Sequence, residues 1–239
     1  MLHTVHALVL RTVRHTDSTV VLKAYTDAFG LRGYLVRLPK GSRRAGRVAL
    51  LQPLQRLELV VDERADRDLH QVRELRLHRP YLRVPGDPLR TALLLFLQEL
   101  LARTLREEAG DPGLWSFLQE ALHLLDTAEE VRDLPVRFLL GYATALGFAP
   151  APPDGAEPYF DLVEGRFTND LPLHAQAITP PLTALFAAWL PGPLDAPAPQ
   201  AMRPGQRREL LDLLLRYVRL HVPGAPELRS PDVLHQALG

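Results

Sequence analysis

The spacing of apolar side chains divides the sequence into two regimes that meet at Pro80. Over His3–Arg14, Val5, Ala7, Val9 and Val13 share one parity and Leu8 and Leu10 the other, a period of two that predicts a strand. Asp17-Ser18 marks a turn, and Thr19–Tyr25 predicts a second strand. The turn Asp27–Gly30 leads to a third over Leu31–Leu38. Val48–Leu51, Leu54–Val61 and Leu69–Leu77 read as further strands, the last alternating Leu69, Gln71, Arg73, Leu75 and Leu77. About five short strands within roughly eighty residues suit a small closed barrel, and best an OB-fold, whose loops hold oligonucleotides.

Beyond Pro80 the period lengthens. Val84–Pro88 is a linker, with Asp87 placed to cap a helix and Pro88 at its first position. Leu93, Leu94, Phe96, Leu97, Leu100, Leu101 and Leu105 recur at three- and four-residue spacing and predict a buried helix over Leu89–Glu108. Asp111-Pro-Gly opens a second, with Trp115, Leu118, Leu122 and Leu125 inward. A third runs from Pro135 to near Leu146, with Gly147 in the C′ position. The segment APAPPDGAEPYFD, Ala149–Asp161, is too rich in proline and glycine for regular structure, and a short hairpin turning at Glu164-Gly165 is expected over Tyr159–Asn169. Helices return over Pro180–Leu190, over Gln206–His221 with Leu210, Leu211, Leu214, Tyr217 and Val218 inward, and from Ser230 to Leu238. Tyr217, Trp115, Trp189 and Phe138 are expected in the core. The predicted class is α+β and multidomain. An OB-fold β-barrel occupies 1–80 and an all-α helical domain follows over 81–148 and 179–239, with an irregular, metal-free insert at 149–178.

Charge sharpens this division. The chain is formally neutral, yet residues 1–60 carry a balance of +7 and the remainder −7. Arg37, Lys40, Arg43, Arg44 and Arg47 crowd one loop together with Gly41 and Gly46, and no carboxylate follows before Glu58. A polyanion suits such a loop, because binding releases the counterions condensed on its phosphates. Lys40, Arg43, Arg44 and Arg47 are the principal candidate nucleic-acid contacts, joined by Arg37, Arg14 and Arg32. Aromatic stacking platforms are scarce: only Tyr25, Phe29 and Tyr34 are available in the barrel, so backbone-dominated, sequence-neutral binding is expected.

Other chemistries lack a handle. There is no cysteine, which excludes disulfides, thiolate metal sites and cysteine nucleophiles. Asp62, Glu63, Asp66 and Asp68 are interleaved with Arg64 and Arg67 and read as a solvated turn rather than a metal site. His3, His6, His15, His70 and His78 are scattered on strands and turns, and no HExxH, GxSxG, P-loop or dinucleotide fingerprint occurs. No metal, cofactor or catalytic residue is therefore expected. The N-terminus does not resemble a signal peptide, and the apolar run Ala92–Leu101 is interrupted by Gln98 and Glu99 and too short for a bilayer. A cytoplasmic, nucleoid-associated location is expected.

Four stretches resemble the RecO family of bacterial recombination mediators. They are ALVLRTVRHTDSTVVLKAYTDAFGLRGYLVRLPKGSRR at Ala7–Arg44; Leu51-Gln-Pro-Leu54 with the Leu57–Val61 strand; FLLGYATALGF at Phe138–Phe148; and Leu214–Leu234, where Tyr217, His221, Leu228, Arg229 and Ser230 match the family's terminal pattern. Their order spans nearly the whole chain. One departure stands out: many relatives hold zinc with four cysteines after the third stretch, whereas Pro150–Asp170 has none and His174 stands alone nearby. Tyr159, Phe160 and Phe167 are expected to pack where that metal would crosslink the loop. The resemblance implies binding of single- and double-stranded DNA, strand annealing, work with RecR, and loading of RecA onto DNA coated by single-stranded-DNA-binding protein, whose acidic C-terminal tail is bound. Arg103, Arg106, Arg132, Arg207 and Arg208 are candidates for receiving such a tail beside an apolar groove. Two rival readings are an RNA-binding OB protein and an interaction scaffold whose basic loop meets an acidic protein.

Overall fold

The computed structural model describes residues 1–63, 67–106, 109–190 and 192–238. The expected acid Asp66 and the expected helix end Glu108 lie outside them. The chain forms two compact units, Met1–Asp87 with Leu94–Trp115, and Pro88–Leu93 with the segment from Ser116 onward.

The first unit is built on a closed barrel of five strands, β1 (Leu2–Arg14), β2 (Thr19–Thr26), β3 (Gly30–Arg37), β4 (Arg56–Asp62) and β5 (Leu69–Arg79), in the order β1-β2-β3-β5-β4. All pairings are antiparallel except β3 with β5, which is parallel over Gly33–Leu35 and Leu69–Gln71. Val5, Ala7 and Val9 of β1 enter the barrel core with Leu22, Ala24, Tyr34, Leu57, Leu59 and Val61. This is the parity expected from the sequence, and β-branched and aromatic side chains suit the pleated, half-buried surface. Leu8 and Leu10 are also buried, on the outer face. There Gln98 of helix α2 (Pro88–Thr104) donates to the Leu10 carbonyl.

One strand expectation fails. Val48–Leu51 is not extended: Arg43–Ala49 forms a seven-residue helix, α1, with no buried residue. Val48 and Ala49 are both exposed while Leu51 and Leu54 are buried, so this apolar run lacks the alternate burial a strand needs. Arginine and alanine are good helix formers, and propensity prevails where packing does not decide. Leu54 sits at φ 50, in the left-handed region, which delays the start of β4 to Arg56.

In the second unit, α3 (Pro112–Thr127), α4 (Leu134–Ala145), α5 (Leu182–Trp189), α6 (Pro204–His221) and α7 (Ser230–Leu238) follow the predicted periodicity closely, although α3 begins in the first unit. Phe138, Trp189 and Tyr217 are core residues as expected, whereas Trp115, in the first unit, is only half-buried and stacks on Tyr25 with centroids 6.2 Å apart. Gly147, at φ +83, ends α4: its N–H donates to Thr144 and that of Phe148 to Ala143, closing the last turn in a Schellman motif. In the insert, β6 (Tyr159–Asp161) and β7 (Arg166–Thr168) form the expected hairpin, and β8 (Ala177–Ile178) adds a third antiparallel strand in the order β7-β6-β8. The turn needs Gly165, whose φ is +66 and whose added Cβ would lie 2.8 Å from the Tyr217 hydroxyl.

That hydroxyl is buried and donates to the Phe148 carbonyl at 2.7 Å. Burial pushes its pKa up to about 12 from 10.0. Folding thus favours the protonated phenol: its stabilising effect is whole below pH 10 and lost as pH rises toward 12. We expect stability to fall across that window less steeply in Tyr217→Phe than in the unaltered chain. At neutral pH the variant should lose about 1–2 kcal/mol, because the Phe148 carbonyl is left without its donor. Denaturant titrations at stepped pH read both effects.

Candidate nucleic-acid interface

The basic segment is not all loop, since Arg43, Arg44 and Arg47 lie on α1, and its neighbours leave most of its charge intact. Arg37 ends β3 and is exposed, as are Lys40 and Arg43; none of the three has an ion-pair partner among the described residues. Arg44 donates to the Asp17 carbonyl at 2.7 Å and Arg47 to the Leu75 carbonyl at 3.2 Å. Main-chain carbonyls orient a guanidinium without cancelling its charge, so both remain cations while losing rotameric freedom. Arg47 and Arg37 then line a polar cavity of about 210 Å³ with Val36, Gln71, Val72 and Arg73. The cavity opens where β3 and β5 stop pairing beyond Leu35 and Gln71, and α1 supplies Arg47.

The remaining predicted contacts each meet a carboxylate. Arg14 pairs with Asp17, and Arg32 lies 3.6 Å from Glu63, which also takes His70 at 3.2 Å. Both arginines already face a carboxylate. Conversely, Arg73 was not a candidate in the sequence; it reaches the site because β5 runs parallel beside β3, and it makes a 3.4 Å contact with Asp62. No local signal marks it, since the pairing joins residues far apart in the chain.

Tyr25 and Tyr34 are core residues, and Phe29 is partly buried with His3 edge-on at 5.2 Å. The cationic rim thus has no stacking platform among these three. Of the acidic turn, Asp62 meets the N-terminal ammonium and Arg73, and Glu63 meets Arg32 and His70. These carboxylates serve ion pairs.

The five arginines considered for an acidic tail are divided between the two units. Arg103 and Arg106 lie in the first unit, the others in the second. Arg103 pairs with Glu99 at 2.8 Å, and Arg132 with Glu130 at 2.9 Å. Arg207 is buried, donating to Asp133 at 2.6 Å, so it is a structural pair inside its unit. Arg208 is exposed. A cavity of about 290 Å³ nearby is lined by Leu124, Val131 and Leu134, but also by Glu130, Asp133 and Asp195. Its single arginine, Arg137, stacks over Trp189 and donates to the Pro197 carbonyl. Of its carboxylates, Glu130 pairs with Arg132 and Asp133 with Arg207.

One grouping invisible in the sequence is formed by His6, Glu58 and His78, whose ligating atoms lie within 4.8 Å of one another. They come from three strands, so no linear spacing reveals them. Partial burial, then the neighbouring His6, lowers the pKa of His78.

Five strands closed into an OB-like barrel, with a cationic rim between β3, α1 and β5, followed by a helical unit with a small β insert, define the class of this protein. The family model for the N-terminal region of recombination protein O matches residues 1–81, and that for its C-terminal region matches residues 85–230. The DNA repair protein RecO of Bacteroides fragilis is 30% identical over 239 residues, covering 99% of each chain. That of Phocaeicola vulgatus is 29% identical over 238 residues, again 99% of each, and that of Flavobacterium psychrophilum 26% identical over 232 residues, 96% of each. The chain belongs to the RecO family.

Proposed function

We propose that this protein acts in DNA repair as a recombination mediator: it binds single- and double-stranded DNA on the barrel's cationic rim, anneals complementary strands and, with RecR, loads RecA onto DNA coated by single-stranded-DNA-binding protein. The observation that carries the reading is the set Arg37, Lys40, Arg43, Arg44 and Arg47, none of which has an ion-pair partner among the described residues. Membership of the RecO family and the names of the relatives support DNA repair as its setting. No helix among the described residues is long and apolar enough to cross a membrane.

Annealing follows from charge. Two strands repel through their phosphates, and a cationic surface that holds both lowers that barrier. The bases must stay free to pair, which a rim without stacking side chains allows. No covalent step is needed, so the protein acts by binding alone. Contacts to the tail of single-stranded-DNA-binding protein would draw on exposed arginines such as Arg208, with Arg207 committed to Asp133.

The test is a strand-annealing assay on complementary oligonucleotides, naked and coated with single-stranded-DNA-binding protein. The protein should accelerate annealing in both arms at low salt and lose the effect as salt rises. An unchanged rate on naked strands would overturn the charge argument. Acceleration confined to naked strands would remove the mediator role, and stronger binding to RNA of matched sequence would favour the RNA reading.

A further inference from the structure

We propose that His6, Glu58 and His78 form a divalent-metal site on the outer wall of the barrel, with zinc as the fitting ion. The three residues lie where β4, β1 and β5 meet. His6 stands between the core residues Val5 and Ala7, and Glu58 between Leu57 and Leu59, so both side chains fall on the outer face. The β1–β4 register sets them directly opposite one another. On β5 the pairing skips a residue: Arg56 faces Arg79 and Leu57 faces Leu77, leaving His78 on a bulge. A bulge re-aims a side chain out of the regular ladder. Here it accompanies an approach of the His78 ring to within 4.3 Å of His6, centroid to centroid.

The arrangement has a built support. Asp27 grips His6 with both oxygens: Oδ1 accepts from the His6 backbone N–H and Oδ2 lies 3.1 Å from Nδ1. The Asp27 N–H in turn donates to the His6 carbonyl at 3.1 Å. A carboxylate on one ring nitrogen orients the imidazole and leaves Nε2 as the ligating atom, the arrangement that metal-bound histidines adopt. Two imidazoles and a carboxylate, with solvent at a fourth position, are a set that zinc accepts. Glu58 and Asp27 together supply two negative charges, which balance the ion. Of the two arginines that act on His78, Arg79 is exposed, and Arg56 donates to the Arg79 and Pro80 carbonyls and stacks on Tyr81. The ligating atoms span up to 4.8 Å. Donors about 2.0–2.1 Å from a tetrahedral ion lie about 3.3 Å apart, a closure that side-chain torsions supply. Bound metal would tie three strands of the barrel across their outer face.

Isothermal titration of the full chain with zinc chloride in metal-free buffer tests the site. Cobalt absorption supplies a second readout of coordination. Saturable one-to-one binding is expected, with a rise in melting temperature. His78→Gln and His6→Gln should each weaken binding at least about tenfold and abolish the thermal shift, and Asp27→Asn should weaken it about tenfold by releasing His6. Because His78 is exposed, its variant should keep the circular dichroism spectrum of the parent. Absence of one-to-one binding by the unaltered chain, or undiminished affinity in both histidine variants, would overturn the proposal.

Discussion

Alanine in place of Phe160 is expected to destabilise the second unit by about 3–5 kcal/mol, the range for deleting a fully buried phenylalanine ring. Phe160 has no exposed surface. Its ring sits edge-on to Phe167 at 5.0 Å, to Phe186 at 4.7 Å and to Tyr217 at 5.9 Å. One side chain therefore joins the insert hairpin to α5 and α6. Its strand β6 is also the middle strand, pairing with both β7 and β8. Where the resemblance implies four cysteines around zinc in many relatives, this chain has no cysteine, and an aromatic cluster occupies the insert. A crosslink of this kind depends on ring volume, so the vacated space has to be filled by collapse of three elements at once. Phe167→Ala should cost less, because Phe167 is only half-buried. Urea titration read by far-UV circular dichroism gives both numbers. A loss below about 1 kcal/mol for Phe160→Ala, or equal losses for the two variants, would show that the insert is held by something else.

Removing the charge of Lys40, Arg43, Arg44 and Arg47 together should largely abolish the salt dependence of single-strand binding. If the four neutralise four phosphates, log affinity falls with log salt at a slope of about −3, so the unaltered protein loses affinity about 60-fold between about 50 and 200 mM salt. The quadruple alanine variant should bind weakly and almost independently of salt. Arg73→Ala should leave the slope nearly unchanged, because Asp62 already lies 3.4 Å from that guanidinium. Arg14→Ala and Arg32→Ala should change it little, because Asp17 and Glu63 already face those guanidinium groups. This contrast separates a positioned rim from a general excess of charge. Electrophoretic or fluorescence-anisotropy titrations over a salt series give the slopes. Salt-independent behaviour of the parent, or equal slopes for the quadruple and the Arg14 variants, would remove the rim from DNA binding.

Much of the fold was legible because its signals are local. The period-two run of β1, the three- and four-residue stripes of α2 to α6, Gly147 at the end of α4 and Gly165 at the hairpin turn each act within a few residues. Val48–Leu51 misled because a short apolar run carries no period of its own, and the arginine-rich neighbourhood favoured helix. The basic loop was equally plain as a concentration of charge.

What the sequence by itself determined is therefore the order of elements, the inward faces of the strands and helices, and the positive excess of the first sixty residues. What only the tertiary structure decided is which charges stay available and which side chains meet. Arg32 is matched by Glu63 and Arg207 by Asp133, while Arg73 joins Arg37 and Arg47 through the parallel pairing of β3 and β5. His6, Glu58 and His78 meet only because the barrel closes β4 onto β1 and β5 bulges beside them. Periodicity is a property of neighbours along the chain, whereas charge compensation and ligand clustering depend on pairing partners that barrel closure brings from far away.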